Sequence, residues 1–461
     1  MARLAADFSL GLCAQLAAWR YEQLPAPVAR MVKLMLVDTL GVVGGAARAP
    51  GIAELNARLA RWEGGGPATG LIGKRGFSPP TAALANGAAA HALDYDDTHD
   101  AARVHSGCVV LPAVLAAAQD IGNVSGREFL LAMALGAELQ ARLGLACFNS
   151  LATGWHPTAI FGSLAAALAA GRVLGLDAEG MRNALGIACH QAAGSAQSAY
   201  EGALTKRLGA GFAARDAVTS AFLAADGLTG PREALEGKAG FFALQMRGEV
   251  RPELLIGELG SRWRIEEYSL KPYPACRCNH SAIGLGVKLH GEGLAAGSVA
   301  SAEIRMSEAN CSLVGRPYDA ALASVVHAQF NAAYSFARAL ADGKVGPRSY
   351  ELPAITEPAV AALAGRIRVL ADPEIPQDAM EPVRIIVNLK DGRTIAVRSD
   401  TLKGSAQDPM SEREVLEKLR GCFEFGLEAP PGAAERLADT VFGLEKETDA
   451  AAAILAAFPG S

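Results

Sequence analysis

The sequence predicts a mainly α-helical protein with a smaller α+β part near its C-terminal end. Apolar residues recur at helical spacing up to about residue 265, alternate as in strands after about residue 267, and return to helical spacing after residue 402. The 461 residues are 51% hydrophobic and 20% charged, enough apolar material for two cores. We therefore predict a helical domain over residues 1–266 and 403–461, with an α+β lid domain over residues 267–402.

The helical part is predicted from long segments in which apolar residues recur every three or four positions. Examples are PVARMVKLMLVDTLGVVGGA, GCVVLPAVLAAAQDIG, GREFLLAMALGAELQARLGL and PTAIFGSLAAALAAGRVLGLD. Ser125 followed by Glu128 predicts a capping box, and Pro157 after His156 suits a first helical position. Because Ala and Gly are abundant, we expect these helices to approach one another backbone to backbone.

The α+β part is predicted from two alternating stretches, VASAEIRMSEA and PVRIIVNLKDGRTIAVRSD. Asp391-Gly392 within the second stretch predicts a hairpin turn. A helical segment, HAQFNAAYSFARALADG, lies between them, and SEREVLEKLRGCFEFGL returns the chain to helix. A cleft between the two domains is where we expect a ligand.

Composition excludes several classes of partner. The net charge of −5 gives no electrostatic reason to expect nucleic acid or an anionic membrane. Asp7 and Arg20 interrupt the first apolar run, unlike a secretory signal, and we find no uninterrupted apolar window long enough to span a membrane. Eight scattered cysteines are typical of reduced thiols, so we expect a cytoplasmic protein.

The segment HALDYDDTHD, residues 91–100, contains four acidic residues and two histidines and directly follows a predicted Ala-rich helix. Asp96 to Asp100 matches the DDxxD pattern by which helical terpene synthases hold magnesium. A second such motif is not found, and aromatic residues, at 6%, are too few to shield a carbocation. We therefore predict no metal and keep a magnesium-dependent synthase as a remote alternative. The structural alternative is that Asp94 and Asp97 cap nearby helices.

Further polar clusters interrupt other Ala-rich segments in a specific order. The blocks are ALANGAAAHALDYDDTH, HSG, GWHPTAIFGSLAAALAAGRVLGLD, TKRLGAGFAARDAVTSAFLAADGLTGPREALEG and KPYPACRCNHSAI. In this order they resemble the MmgE/PrpD family, which includes 2-methylcitrate dehydratase, cis-aconitate decarboxylase and iminodisuccinate epimerase. The resemblance implies a large helical domain with an α+β lid, a homodimer, and catalysis without a metal or organic cofactor.

The reactions of that family share one difficult step, which is to make or quench a carbanion beside a carboxylate. This step needs a positioned base and cations that stabilise the negative charge. Histidine titrates near neutrality and suits the proton transfers, whereas Lys and Arg suit the carboxylates. The resemblance places these residues of the chain on the family's active-site positions: Asp94, Thr98, His105, His156, Lys206 and Lys271.

We predict His156 as the main acid–base group and His105 as its partner across the substrate. Asp94 would orient an imidazole, and Lys271 would bind a carboxylate and could donate a proton. The predicted substrate contacts are Thr98, Lys206, Arg316, His99, Tyr273 and His280. Each residue has a structural alternative, such as a helix cap at His156, a turn at His105 or a solvated basic pair at Lys206.

Two weaker patterns are set aside. Residues 209–214, GAGFAA, fit a dinucleotide-binding GxGxxA fingerprint, but no buried strand precedes them. Cys276-Arg277-Cys278 could suggest an iron–sulfur hydratase, but convincing third and fourth ligands are missing.

The choice among activities of the family depends on one position. In the animal cis-aconitate decarboxylase of the family, a pocket tyrosine precedes an Arg-Pro pair; this chain has Leu313 before Arg316-Pro317. The missing phenol favours a hydro-lyase acting on a 2-methylcitrate-like hydroxy polycarboxylate. The alternatives are an epimerase of an iminodisuccinate-like dicarboxylate, a cis-aconitate-type decarboxylase and a non-catalytic homologue. In each catalytic case the expected partner is a small di- or tricarboxylate.

Overall fold

The computed structural model describes residues 7–322, 324–427 and 429–460; residues 1–6, 428 and 461 of the predicted helical domain and residue 323 of the predicted lid domain lie outside this range. Helices form most of the first part of the chain, as predicted. They are α1 (Phe8–Ala17), α2 (Ala26–Gly45), α3 (Ile52–Trp62), α4 (Pro79–Ala90), α5 (Gly107–Ile121), α6 (Gly126–Ala146), α7 (Pro157–Val173), α8 (Ala178–Gln191), α9 (Gln197–Glu201), α10 (Thr205–Ala225), α11 (Phe241–Leu244) and α12 (Pro252–Ile256).

Two short antiparallel strand pairs, which the sequence did not predict, interrupt these helices. Strand β1 (Ala68–Gly70) pairs with β2 (Arg75–Phe77), and β3 (Thr98–His99) pairs with β4 (Tyr268–Ser269). The second pair ties the acidic segment directly to the chain that enters the α+β part.

The α+β part contains a four-stranded mixed sheet. Its elements are α13 (His280–Gly291), β5 (Val299–Met306), α14 (Glu308–Val314), α15 (Val325–Gln329), α16 (Ala332–Asp342), α17 (Leu352–Ile355), α18 (Pro358–Ala364), β6 (Ile367–Ala371), β7 (Val383–Leu389) and β8 (Thr394–Ser399). The strand order is β6-β5-β7-β8, with β5 and β6 parallel and the other pairs antiparallel. The predicted hairpin is confirmed, since Gly392 adopts a φ of 89° between β7 and β8. Strand β6 was not predicted.

The chain ends in helices α19 (Glu412–Gly426), α20 (Ala433–Phe442) and α21 (Ala450–Ala457), which pack back onto the first part. One hydrophobic core joins them to residues 8–270, and a second core covers residues 275–389. The predicted fold class, mainly α with an α+β part, is confirmed. The exact division at residues 266 and 402 stays a prediction.

Helix α6 is apolar and long enough to cross a membrane by composition, the one such helix in the described residues. However, 94% of its apolar window is buried inside the protein. It also carries the ion pair of Arg142 Nε with Glu138 Oε1, 2.6 Å apart and fully buried. These features are typical of a core helix.

The N-terminal caps of α6 and α7 agree with the sequence predictions in part. Pro157 begins α7, as predicted. Ser125 Oγ accepts a hydrogen bond from Glu128 N at 3.3 Å, which is half of the predicted capping box. The second bond of the box, from Ser125 N to the Glu128 carboxylate, is replaced by an ion pair between that carboxylate and Arg172.

Helices α4 and α10 cross at glycines, which confirms the expected close approach of backbones. A Cβ at Gly211 would lie 2.5 Å from Leu84 O and 3.0 Å from Ala88 N, and one at Gly87 would lie 2.9 Å from Gly211 Cα. The GxGxxA pattern is therefore explained by helix packing, since Gly211 lies at this crossing inside a helix.

We predict that Gly211→Ala lowers the free energy of unfolding by about 1–3 kcal/mol, because backbone atoms cannot yield as a flexible side chain can. Gly284→Ala is the matched control, since Gly284 is also helical but a Cβ added there would have no neighbouring atom within 4 Å. There the gain in helix propensity should leave the protein unchanged or up to about 1 kcal/mol more stable. Urea denaturation of both variants measures the difference, and equal effects would contradict the prediction.

Candidate active site

A chamber lies between the helical part and the α+β part, with a volume of about 100 Å³. This volume has room for roughly seven to ten water-sized groups, the size of a small organic acid. The structure brings six of the predicted site residues to its wall: Asp94, Thr98, His105, His156, Lys206 and Lys271. Residues not predicted as substrate contacts also line it, among them Arg103, Cys276, Arg277, Leu313 and Phe330.

Asp94 holds two ammonium groups at the chamber. Its Oδ1 pairs with Lys206, and its Oδ2 lies 3.5 Å from Lys271 Nζ. Lys271 Nζ also donates to the Asp94 carbonyl oxygen at 2.9 Å. Asp94 reaches this position with a φ of 52°, a left-handed conformation unusual for a residue other than glycine. These three groups together carry one net positive charge, and both lysines line the chamber.

The protonation states support this charge balance. Burial would raise the pKa of Asp94, but Lys206 and Lys271 outweigh it and hold that pKa well below its usual range. Burial would lower the pKa of Lys271, but Asp94 and Asp96 reverse the effect and raise it. Asp94 was predicted to orient an imidazole. Its observed partners are instead the two lysines, because the two ammonium groups lie within 3.5 Å of its carboxylate oxygens.

His105 is oriented by the chain that precedes it. Its Nδ1 lies 2.6 Å from the Asp97 carbonyl oxygen, which can only accept, so Nδ1 carries the proton and Nε2 keeps a lone pair. Burial, helped by Lys271 and opposed by Asp96, lowers the pKa of His105 to about 3. The uncharged imidazole is therefore available as a base at neutral pH.

We predict that His105 remains the uncharged Nδ1–H tautomer from pH 8 down to pH 5, where an ordinary histidine becomes charged. Nitrogen NMR of histidine-labelled protein should show this, with His105 assigned as the resonance that is lost in His105→Gln. His190, which is not at the chamber, serves as an internal comparison in the same spectrum. An imidazolium signal from His105 at pH 6 would contradict the prediction.

His91 and Asp96, which were not predicted as site residues, lie behind the two imidazoles. His91 Nδ1 is 2.7 Å from Asp96 Oδ2, and both side chains are fully buried. The His91 ring centroid lies 5.0 Å from that of His105 and 5.7 Å from that of His156. His91 begins the same acidic segment, so the concentration of titratable groups there was the signal that could have identified it.

His91, Asp96 and His105 offer three ligand atoms within 4.8 Å of one another, which is close enough for a metal ion. The geometry fits that use poorly, because His91 Nδ1 and Asp96 Oδ2 are already joined by a direct hydrogen bond of 2.7 Å. Burial would raise the pKa of Asp96, but His91 and His105 hold it well below its usual range. The group is therefore better described as a hydrogen-bonded support for the imidazoles.

His156 precedes α7 and presents its ring to the chamber without a side-chain hydrogen bond in the described part of the protein. Burial, then His91 and Lys206, lower the pKa of His156 well below its usual value. A Cβ at Gly209 would lie 3.2 Å from His156 Nδ1, so the absence of a side chain there makes room for the ring. This unbonded imidazole is free to bond a substrate.

Asp97 and Lys418 bind backbone groups of the segments that carry the site residues. Asp97 accepts from Ser106 N at 3.0 Å and Gly107 N at 2.8 Å, so it caps α5, as its structural alternative proposed. Lys418 Nζ donates to the carbonyls of Tyr95 at 2.6 Å and Lys271 at 2.9 Å. It also pairs with Asp38 at 2.6 Å.

Four predicted substrate contacts lie away from the chamber wall. His99 is buried with its Nε2 3.5 Å from Glu267 Oε2. Tyr273 and His280 pack against each other with ring centroids 5.4 Å apart, and His280 Nε2 lies 3.1 Å from the Ala275 carbonyl. Arg316 Nη1 donates to the Tyr200 carbonyl at 2.6 Å. Each of these four side chains is directed to another partner, so proximity in sequence to a chamber residue does not place it at the chamber wall.

Comparisons with known proteins agree with this architecture. Residues 11–253 match the MmgE/PrpD N-terminal domain, and residues 273–444 match the MmgE/PrpD C-terminal domain. The cis-aconitate decarboxylase-like protein oryM of Aspergillus oryzae is 29% identical over 461 residues, covering 95% of this chain and 94% of that protein.

Two further relatives carry the name cis-aconitate decarboxylase. The protein of Aspergillus terreus is 28% identical over 450 residues, covering 93% of this chain and 91% of its own. The human protein is 32% identical over 355 residues, covering 74% of this chain and 72% of its own. The two domain matches span most of the sequence in the order that the fold requires. The chain therefore belongs to the MmgE/PrpD family.

Proposed function

We propose that the protein is a lyase that acts on a small di- or tricarboxylate through a carbanion next to a carboxylate. The observation that carries this proposal is one chamber lined by two uncharged imidazoles, His105 and His156, and two ammonium groups, Lys206 and Lys271. The imidazoles can move protons, and the ammonium groups can stabilise the charge that develops on a substrate carboxylate. The residues present supply both needs without a metal or an organic cofactor.

Our first candidate reaction is dehydration of a hydroxy polycarboxylate. An imidazole nitrogen takes the proton next to the carboxylate, and the electron pair spreads onto that carboxylate, which Lys271 or Lys206 neutralises. The C–O bond then breaks, the alkene forms, and the hydroxyl leaves as water with a proton from the Lys271 ammonium or from the imidazolium that the first step produced. The lowered pKa of both imidazoles supports this reaction because they are uncharged at neutral pH. Leu313 supplies an apolar wall where a phenol could have been an additional acid.

The second candidate is decarboxylation of a cis-aconitate-like tricarboxylate, and the names of the relatives favour it. In this reaction the C–C bond to one carboxylate breaks, carbon dioxide leaves, and the carbanion takes a proton from the Lys271 ammonium. The raised pKa of Lys271 keeps a charged proton donor at the chamber. Epimerisation of an iminodisuccinate-like acid needs one imidazole as base and a protonated group on the opposite face, and it is a third outcome of the test.

One assay separates these reactions. Chelator-treated protein is incubated in heavy water with 2-methylcitrate, citrate, cis-aconitate and iminodisuccinate, and the products are followed by NMR. An alkene formed from a hydroxy acid identifies the dehydratase, released carbon dioxide the decarboxylase, and deuterium with inverted configuration the epimerase. A His105→Gln, His156→Gln double variant is the control for protein-independent reaction. Turnover of none of these acids would contradict the proposed function, and activity that requires added metal would contradict the proposed metal independence.

The expected homodimer is part of this proposal, and sedimentation of the purified protein tests it.

A further inference from the structure

Arg103 is held at the mouth of the chamber by a tight turn. Its N donates to the His99 carbonyl at 2.7 Å, and His99 N donates to the Val104 carbonyl at 2.8 Å. The turn gives Arg103 a φ of 56°, a left-handed conformation that a long side chain rarely adopts. Such conformations cost energy and are concentrated at functional sites, so the placement of this side chain calls for a functional account.

The side chain of Arg103 lies where the chamber opens into a larger groove. The groove has a volume of about 1210 Å³ and is lined by both parts of the fold, including Arg251, Arg262 and Gln377. Arg103 lines both cavities, whereas Lys206 and Lys271 line the chamber alone. The cations are thus divided between the interior of the chamber and its junction with the groove.

The guanidinium of Arg103 keeps donors for an anion. It can donate five hydrogen bonds; Nη2 donates one to the Asp378 carbonyl at 3.1 Å, and another side-chain hydrogen bond joins the group to the Cys278 thiol at the chamber wall. Over residues 7–322, 324–427 and 429–460, no acidic side chain forms an ion pair with it. By contrast, Arg277 at the chamber wall pairs with Asp100 at 3.0 Å, and Arg262 in the groove pairs with Glu267 at 2.8 Å.

We propose that Arg103 is a specificity-determining residue that binds the substrate carboxylate at the junction of chamber and groove. The inference rests on the proposed function, and it specifies that the preferred substrate carries a carboxylate beyond those held by Lys206 and Lys271. A planar guanidinium can bind that carboxylate through two parallel hydrogen bonds. A substrate without this carboxylate leaves Arg103 unpaired and binds less tightly.

Two inert acids of matched chain length test the proposal. Tricarballylate and glutarate share a five-carbon backbone, and glutarate lacks the central carboxylate. Calorimetry of the full-length protein should show that Arg103→Gln weakens tricarballylate binding by about tenfold or more and glutarate binding by less than about threefold. Arg262→Gln is the matched control, because its guanidinium already has a carboxylate partner, and it should change neither affinity by more than about twofold.

Arg103→Lys provides a second variant that keeps the charge but loses the planar fork. Arg103→Lys should weaken tricarballylate binding more than glutarate binding, by a smaller factor than Arg103→Gln does. If Arg103→Gln does not fold, Arg103→Lys is used in its place. Equal weakening of both acids, or no change in either, would overturn the role of Arg103 alone. If the unaltered protein binds neither acid, the polycarboxylate function and this inference both fail.

Discussion

His156→Gln is expected to lower turnover by about 10²–10⁴-fold, the usual contribution of a positioned acid–base group. The His156 ring faces the chamber and has no side-chain hydrogen bond in the described residues, so its loss removes a proton carrier without breaking such a bond. Glutamine retains hydrogen-bonding capacity but cannot titrate. Steady-state rates on whichever substrate the heavy-water assay identifies measure the effect.

The comparison with His105→Gln makes this prediction sharper. His105 Nδ1 is bonded to the Asp97 carbonyl, so the second variant also removes a structural bond and should lower the melting temperature more than His156→Gln does. Both variants should lose the exchange of substrate hydrogen for deuterium that the imidazole bases support. If His156→Gln keeps full turnover, His156 is not the main proton carrier and His105 takes that role.

Lys418→Met is expected to lower the free energy of unfolding by about 3–5 kcal/mol, the cost of removing one partner of a buried ion pair. Lys418 and Asp38 are both buried with their charged atoms 2.6 Å apart. The variant also leaves the carbonyls of Tyr95 and Lys271 without their ammonium donor. Because these carbonyls belong to segments that carry the site, activity should fall with stability. Urea denaturation measures the effect.

Lys403→Met is the matched control for the stability prediction. Lys403 pairs with Glu414 at 3.2 Å, but its side chain is 37% exposed, so the change should stay within about 1 kcal/mol. Equal losses for the two variants would show that burial of the Lys418 pair is unimportant.

The effect of Lys418→Met should also depend on pH. Burial raises the pKa of Asp38 above its ordinary value of 3.8, and Lys418 opposes this rise. Without Lys418 the folded pKa rises further, so the folded state binds more protons than the unfolded state above pH 3.8. Stability then falls as pH increases through that window, and the deficit of the variant should be larger at pH 7 than at pH 4.

The sequence predicted those elements whose apolar residues follow a helical or alternating pattern within a single segment. The helices around α6 and α7 follow from local periodicity, and the β7–β8 hairpin follows from alternation around Gly392. Strand β6 and the β3–β4 pair were missed, because β6 is short and partly buried and β3 and β4 have two residues each. Such strands exist only through partners far along the chain.

The site also has features that the sequence determined and features that depend on the tertiary structure. The sequence alone determined the family and the inventory of groups, since those depend on residue types in a fixed order along the chain. Only the tertiary structure decided which groups meet: Asp94 contacts two lysines, His91 and Asp96 support the imidazoles, and four other predicted residues are directed elsewhere. The physical reason is that a hydrogen bond or ion pair depends on distances of about 3 Å between atoms. The packing of helices and the turn at Asp94 set those distances, and neighbouring positions in a sequence do not.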